Sequence, residues 1–221
     1  MERCAHFGRI DHRRLSSSLF IVSLLLFLLS PAHLIDEIDK ARAKNHHETS
    51  DIYTVLKSHD MDMSDASLWN LAGSILEESK KHVLDPMLVL AVIQVESRFN
   101  HRSVSPRGAQ GLMQIHTVAA IAVVEREEIA NLPKKKNLQD PVVNVKIGVA
   151  YLSHLKKTFN DVRLALTAYN VGPTWVRKKL ATKEKIPFAY AGRVLSAQRL
   201  LEKSRQSEKP FWRNEQQTAK T

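Results

Sequence analysis

The amino-acid sequence predicts an all-α protein with one folded domain at about residues 64–204. The 221 residues are 43% hydrophobic, which suits one domain whose core is large enough to fold without disulfides. Several segments repeat apolar residues at the three- and four-residue spacing of an amphipathic helix, most clearly within residues 141–159. No two segments alternate apolar and polar residues as a pair of strands would. These three observations favour a helical domain.

The first 32 residues have the pattern of an export signal. Four arginines precede the mostly apolar residues 19–29, a run too short for a transmembrane helix but typical of a signal-peptide core. Small residues at 30–32 would allow cleavage after Ala32. We therefore expect residues 1–32 to be a signal peptide, or else an uncleaved membrane anchor that spans residues 19–35. In both cases we expect the rest of the chain to lie across the membrane.

The chain is strongly basic, with a formal net charge of +10 and a pI of about 9.8. Such a balance favours an anionic partner, which could be nucleic acid, anionic lipid or an anionic polymer of the cell wall. The sequence lacks the interleaved basic and aromatic residues that bind single-stranded nucleic acid, so a nucleic-acid partner is not expected. Cys4 is the single cysteine, which excludes a disulfide within the chain and a cysteine-based metal site.

The helices can be predicted in order along the chain. Residues 33–63 are polar without a sustained period, which indicates a linker. From Ser64 onward, apolar residues at helical spacing predict a first helix. Asp85-Pro86 is an N-cap followed by a proline at the first helical position, and the helix that it opens is apolar on every side as far as Val95. We expect this helix to be buried at the centre of the domain.

A loop and further helices follow. Pro106 and two glycines predict a loop over residues 100–111. The helices predicted after it span residues 118–129, 141–159, 162–168, 175–180 and 188–204, with a basic loop at 133–136, a turn at 170–173 and a flexible tail at 205–221.

One carboxylate stands at the end of the apolar helix. Glu96 shares a helix face with Val89, Val92 and Ile93, so its carboxyl leans against apolar side chains. Burial of this kind disfavours the charged form and should raise the pKa of Glu96. A carboxylic acid that stays protonated near neutral pH can act as a general acid. The position alone leaves open the alternative of a carboxylate at a helix end that reaches solvent.

Three further motifs follow Glu96-Ser97, and each alone has a structural explanation. They are Gly111-Leu112-Met113-Gln114, Ala168-Tyr169-Asn170 with Gly172-Pro173, and Tyr190. In this order they resemble the catalytic domain of the soluble lytic transglycosylases, which are bacterial murein-cleaving enzymes with a goose-type-lysozyme-like helical fold. The resemblance covers about residues 80–200, and the 18-residue spacing from Glu96 to Gln114 fits it.

The resemblance implies a specific reaction. Glu96 would be the sole catalytic acid and base, and it would protonate the glycosidic oxygen between N-acetylmuramic acid and N-acetylglucosamine. It would then take the proton of the muramyl 6-hydroxyl, so that the product ends in a 1,6-anhydro sugar without the use of water. The N-acetyl group of the substrate would stabilise the positive charge at the anomeric carbon. Peptidoglycan glycan strands would be the substrate, and neither a metal nor an organic cofactor is implied.

The resemblance also implies which residues bind substrate: Ser105, Met113, Gln114, Tyr169, Asn170 and Tyr190. The serine would lie near Glu96 and the N-acetyl group, and the methionine beneath the site. The two amide side chains would hydrogen-bond sugar, and the two tyrosines would line the groove.

The sequence departs from the family pattern at two places. His116-Thr117 stands where the family usually has Met-Pro, and since that methionine contacts substrate, His116 is a candidate contact at the rim. The segment before Tyr190 lacks the family's common acidic residue, and Ala191 replaces the usual valine. Neither change removes a group that the chemistry requires.

Other classes of protein remain as alternatives. A lysozyme-type muramidase would keep the fold and Glu96 but use water, which gives a reducing sugar end. A non-catalytic peptidoglycan-binding scaffold of an envelope machine would bind murein without cleavage. A nucleic-acid binder would bind DNA with a steep dependence on salt. An envelope-spanning secretion or motility complex is a candidate partner, and the membrane is one only if the N-terminal segment is uncleaved.

Overall fold

Seven helices and the loops between them make up residues 31–119 and 137–207, the part of the chain that the computed structural model describes. They are α1 (Pro31–Lys57), α2 (Asp65–Lys81), α3 (Pro86–Ser97), α4 (Pro141–Phe159), α5 (Val162–Val171), α6 (Pro173–Ala181) and α7 (Ala189–Ser207). Within these residues the extended pairing is limited to two isolated bridges in the loop after α3. The predicted all-α class is confirmed.

The helices begin where the sequence predicts them to begin. Ser64, Asp85, Asp140 and Asp161 are N-caps whose side chains accept a hydrogen bond from a backbone N–H of the first turn. Such a bond satisfies one of the donors that a helix start leaves open, and its loss typically costs about 1 kcal/mol. A proline follows two of these aspartates at the start of α3 and α4, where its missing N–H costs no hydrogen bond.

Helix α3 is the central helix of the fold. Its residues from Met87 to Ile93 are all buried, and it packs against α7 and α2. The other helices pack around it in further pairs: α2 packs on α4, and α5 packs on α4, α6 and α7. A helix that is apolar on every side is stable only when it is enclosed. The prediction of a buried central helix is therefore confirmed.

The predicted linker over residues 33–63 is wrong for much of its length. Helix α1 covers residues 31–57, and the chain divides into two compact units at residues 47 and 48. In the first unit the described side chains from His33 onward are largely exposed, and Lys40 pairs with Asp36. In the second unit Ile52 and Leu56 are buried in the hydrophobic core. The sequence did not predict this helix because Ile52 and Leu56, one turn apart in a polar segment, are too few to show a helical period.

Smaller differences concern the helix ends. The turn predicted at residues 170–173 is a direct junction, because α5 runs to Val171 and α6 begins at Pro173. Gly172 joins them with a φ of 91°, which is strained for other residues. Helix α7 continues to Ser207, beyond its predicted end. Residues 1–30 of the predicted signal segment, the helix over 118–129 except for its first two residues, the basic loop and most of the tail lie outside the described residues. Pro31 and Ala32, the last two residues of the signal segment, lie in α1.

Membrane-spanning helices were sought in the described residues, 31–119 and 137–207. None of the helices there combines the length and the apolar composition needed to cross a bilayer.

The buried side chain of Asn144 links α4 to the loop after α3 and to the segment just before α4. The amide of Asn144 accepts a hydrogen bond from Met113 N at 2.7 Å and donates to the carbonyl oxygens of Gln110 at 2.8 Å and Leu138 at 2.7 Å. One turn later, a Cβ on Gly148 would lie 2.4 Å from the sulfur of Met113. The glycine therefore leaves the space that the buried methionine fills.

We expect Asn144→Ala to lower the free energy of unfolding by about 2–5 kcal/mol, because it leaves the N–H of Met113 and the C=O of Leu138 buried without a partner. The C=O of Gln110 keeps its hydrogen bond from Ile115 N. Urea denaturation measures the loss. Asn70→Ala, on the exposed face of α2, is the matched control and should change stability by less than about 0.5 kcal/mol. A loss below about 1 kcal/mol in Asn144→Ala would mean that the loop does not depend on this amide.

Candidate active site

Glu96 and Tyr190 meet where α3 packs on α7. Glu96 lies in the last turn of α3 and is half-buried, and Tyr190 lies in the first turn of α7 and is buried. The Tyr190 hydroxyl donates a hydrogen bond to Glu96 Oε1 at 2.5 Å. The carboxyl is thus not a side chain that only reaches solvent, which was the alternative left open by the sequence. It is fixed by a partner from the other end of the folded unit.

The pKa of Glu96 is raised above its ordinary value, as the sequence predicts. Burial is the main cause, since it removes water from the charged form. The hydrogen bond from Tyr190 and the positive charge of Arg193 act in the opposite direction and lower the pKa by less than burial raises it. The balance favours a carboxylic acid that keeps its proton closer to neutral pH, as a general acid requires.

Arg193 is a site residue that the sequence analysis missed. Its guanidinium carbon lies 5.6 Å from the centre of the Tyr190 ring, which is within the range of a cation–π contact. The two residues are three positions apart on α7, and this spacing brings side chains onto one helix face. The spacing was the available signal, but it became informative only once Tyr190 was known to face Glu96.

Tyr169 supports the floor of the site. Its hydroxyl donates to the carbonyl oxygen of Met113 at 2.8 Å, and burial together with the charge of Glu96 holds the pKa of Tyr169 well above its ordinary value. It therefore stays a neutral donor. Met113 itself is fully buried. The Tyr169 ring packs on Tyr151, a second aromatic residue that the motifs did not include, at a centroid distance of 5.5 Å.

Gln114 uses its amide nitrogen within the protein. Its Nε2 donates to the carbonyl oxygens of Ser103 at 3.1 Å and Gly111 at 3.0 Å. Its backbone has a φ of 48°, in the left-handed region. These bonds orient the side chain, and the carboxamide oxygen is the atom that remains to accept a hydrogen bond from a sugar hydroxyl.

Ser105 has a role in shaping the same loop. Its Oγ accepts a hydrogen bond from Ala109 N at 3.0 Å, and its own N–H donates to Ala109 O at 2.8 Å. Within the described residues no hydrogen bond joins it to Glu96. The structure therefore brings together Glu96, Tyr190 and Tyr169 by hydrogen bonds or charge, and it leaves Ser105 at the turn of the loop.

Two cavities flank Asn170. The larger, which we call the wide groove, has a volume of about 760 Å³ and includes Gln114, His116, Tyr169 and Asn170 in its lining. The smaller, of about 180 Å³, includes Asn170 and Tyr190. Four of the predicted substrate-binding or rim residues thus share one groove, and a fifth lines the adjoining cavity. His116 is exposed at the position expected for a rim contact.

Over residues 31–119 and 137–207, no group of three or more His, Cys, Asp or Glu side chains is arranged to hold a metal ion.

We expect Tyr190→Phe and Arg193→Gln each to raise the pKa of Glu96 further. Both native groups favour the carboxylate, so their removal leaves burial as the dominant effect and favours the protonated form. A pH titration of the 13C carboxyl signal of Glu96 measures the shift. Arg199→Gln, an exposed arginine further along α7, should leave the titration unchanged. A lower pKa in either variant would contradict the assigned signs.

Comparison with known proteins gives these residues a family context. Residues 73–190 match the family model of the transglycosylase SLT domain, which is just over half of the chain. The chain is 37% identical over 113 residues to membrane-bound lytic murein transglycosylase C of Klebsiella pneumoniae, and 34% identical over 111 residues to soluble lytic murein transglycosylase of Escherichia coli K12. Each alignment covers 45% of this chain, but only 30% and 17% of the respective relative.

Solved structures show the same fold. An inactive Glu-to-Gln mutant of the lytic transglycosylase Slt from Pseudomonas aeruginosa superimposes with a TM-score of 0.54 at 29% identity, over 62% of this chain and 24% of that one. The 70-kDa soluble lytic transglycosylase of Escherichia coli gives a TM-score of 0.53 at 23% identity, over 70% and 29% of the two chains. This likeness confirms the predicted lysozyme-like helical fold of the lytic transglycosylases. With the family match over residues 73–190, it shows that the chain belongs to the transglycosylase SLT domain family.

Proposed function

We propose that the chain is a peptidoglycan lytic transglycosylase that cleaves the β-1,4 bond between N-acetylmuramic acid and N-acetylglucosamine, with Glu96 as its single general acid and base. The observation that carries this proposal is the half-buried carboxyl of Glu96, which has a raised pKa and a hydrogen bond from Tyr190. The family membership and the names of the relatives support it.

In the first step, protonated Glu96 donates its proton to the glycosidic oxygen. The bond between this oxygen and the anomeric carbon of the muramyl residue breaks, and N-acetylglucosamine leaves with the new O–H. The carbonyl oxygen of the substrate's N-acetyl group stabilises the positive charge at the anomeric carbon. Tyr190 remains hydrogen-bonded to the carboxylate that Glu96 has become, which favours this charged state.

In the second step, the Glu96 carboxylate accepts the proton of the muramyl 6-hydroxyl. The 6-oxygen then bonds to the anomeric carbon, which closes a 1,6-anhydro ring and returns the proton to Glu96 without the use of water. Among the described residues, the groups that shift the pKa of Glu96 are Tyr190 and Arg193, and no second carboxylate acts on it. A single acid and base fits this better than the usual pair of carboxylates. The inactive Glu-to-Gln mutant of the Pseudomonas relative is consistent with it.

The remaining site residues bind and position the glycan. The carboxamide oxygen of Gln114 and the exposed side chain of Asn170 accept or donate to sugar hydroxyls along the wide groove. The rings of Tyr169 and Tyr151 offer an apolar wall for a sugar face. Met113 is the buried floor, His116 is a rim contact, and Ser105 holds the turn that we place near the N-acetyl group.

The location and partners of the protein belong to the same proposal. We infer export to the periplasm from residues 1–32, with the uncleaved segment at 19–35 as the alternative anchor in the inner membrane. Relatives are named both as membrane-bound and as soluble transglycosylases, which is consistent with either. An envelope-spanning secretion or motility complex is the candidate partner.

We expect the purified protein to release muropeptides with 1,6-anhydro ends from murein, and Glu96→Gln to lower the rate at least about 100-fold, because it removes both acid and base. Mass spectrometry of the sugar ends measures the products. Glu77→Gln, an exposed position on α2, is the matched control and should cleave like the wild type.

Two results would change the assignment. Reducing ends in place of anhydro ends would show that water completes the reaction, as in a lysozyme-type muramidase. Binding of murein without cleavage by folded wild-type protein would indicate a non-catalytic scaffold.

A further inference from the structure

Two arginines at the wide groove have no carboxylate partner among the described residues. Arg107 lies in the loop after α3 and Arg177 lies on α6, yet both line the same cavity and both are exposed. Within residues 31–119 and 137–207 neither forms an ion pair, whereas Arg102 pairs with Asp62 and Lys179 with Glu184. A guanidinium stays charged at all physiological pH values. The two side chains therefore place positive charge at the groove that no described carboxylate pairs with.

The other described residues of the wide groove do not offset this charge. His116 and His154 contribute two imidazoles to its lining, and Tyr151 contributes a phenol. Burial raises the pKa of the Tyr151 hydroxyl, and the positive charge of Arg177 opposes part of this rise, so Arg177 lies close enough to act on the groove wall. No Asp or Glu is among the described lining residues. A groove with this charge attracts an anion and repels a cation.

We propose that the wide groove binds a carboxylate-bearing substituent of the glycan strand through Arg107 and Arg177. This inference rests on the proposed function, because it takes murein as the substrate. Arginine is suited to the task, since its planar guanidinium can form two parallel hydrogen bonds with one carboxylate. The carboxylate can come from a stem peptide or from the lactyl group of a muramyl residue without a peptide.

The size of the groove fits a substituted sugar. Its volume of about 760 Å³ lies within the range of roughly 300–1,000 Å³ that encloses a drug-sized ligand. The space can therefore hold a sugar residue together with part of an attached group. Asn170 lies between this groove and the smaller cavity at Tyr190, so the substituent would bind beside the reacting bond.

Arg107 and Arg177 do not affect the pKa of the catalytic carboxyl. The cation that lowers the pKa of Glu96 is Arg193, and neither groove arginine acts on that carboxyl. Anion binding in the wide groove would thus increase affinity for the substrate without a change in the proton affinity of the acid. We expect its effect in KM rather than in kcat.

The test compares three soluble, uncrosslinked murein strands with the full chain. The first carries N-acetylated stem peptides with free carboxylates, and the second carries the same peptides with their carboxylates converted to methylamides. The third has lost its peptides and has lactyl carboxylates instead. The values of kcat and KM are measured for each strand, and dissociation constants are measured with the Glu96→Gln protein.

We expect wild-type kcat/KM to be about 5- to 30-fold higher on a carboxylate-bearing strand than on the methylamide strand at low salt, through KM. The double variant Arg107→Gln/Arg177→Gln should reduce this preference to less than about twofold. Arg42→Gln/Arg199→Gln removes two exposed arginines outside the groove and should keep the preference. Added salt should weaken it, because the pairs are exposed.

The outcomes distinguish the two sources of the carboxylate, and they test the anion site separately from the proposed catalysis. Preference for the first strand assigns the stem peptide, and preference for the third assigns the lactyl carboxylate. Equal kcat/KM on all three strands, or a preference that survives in the groove double variant, overturns the anion site. If no strand is cleaved, the proposed catalysis fails. The dissociation constants then decide the anion site separately, because it requires tighter binding of a carboxylate-bearing strand.

Discussion

The enclosure of α3 is the constraint on which the site depends. A helix that is apolar on every side has to be surrounded by other helices, and α7 and α2 provide this cover. Its last turn lies at the edge of the core, where Glu96 is half-buried. The same packing that stabilises the fold therefore raises the pKa of the carboxyl. Structure and acid strength have one physical cause, which is burial.

The loop that forms the floor of the site is held by hydrogen bonds as well as by apolar packing. Asn144 on α4 bonds to backbone groups of Gln110, Met113 and Leu138, and Tyr169 on α5 donates to the carbonyl oxygen of Met113. An irregular loop so close to the core would otherwise bury unpaired polar groups. Two helices thus fix a loop that has no regular structure of its own. The groove keeps its shape because these bonds are buried and specific.

The sequence was sufficient for features that local chemistry determines. The Asp-Pro pairs predict the starts of α3 and α4 because a cap and a proline act within one turn, and the raised pKa of Glu96 follows from its helical neighbours. Features that depend on distant contacts could not be predicted in this way. Ile52 and Leu56 are buried only because other helices cover them, and the internal use of the Gln114 amide depends on how the loop folds back. Arg193 becomes relevant only through the docking of α7.

The Tyr190–Glu96 hydrogen bond joins residues 94 positions apart, and this separation affects when the site exists during synthesis. Translation delivers Glu96 and α3 long before α7, so a nascent or unfolded chain carries the carboxyl without the tyrosine and without the burial that raises its pKa. The working acid is assembled only when the last described helix docks. A chain that is still being synthesised therefore lacks the completed site, which forms only in the final step of folding.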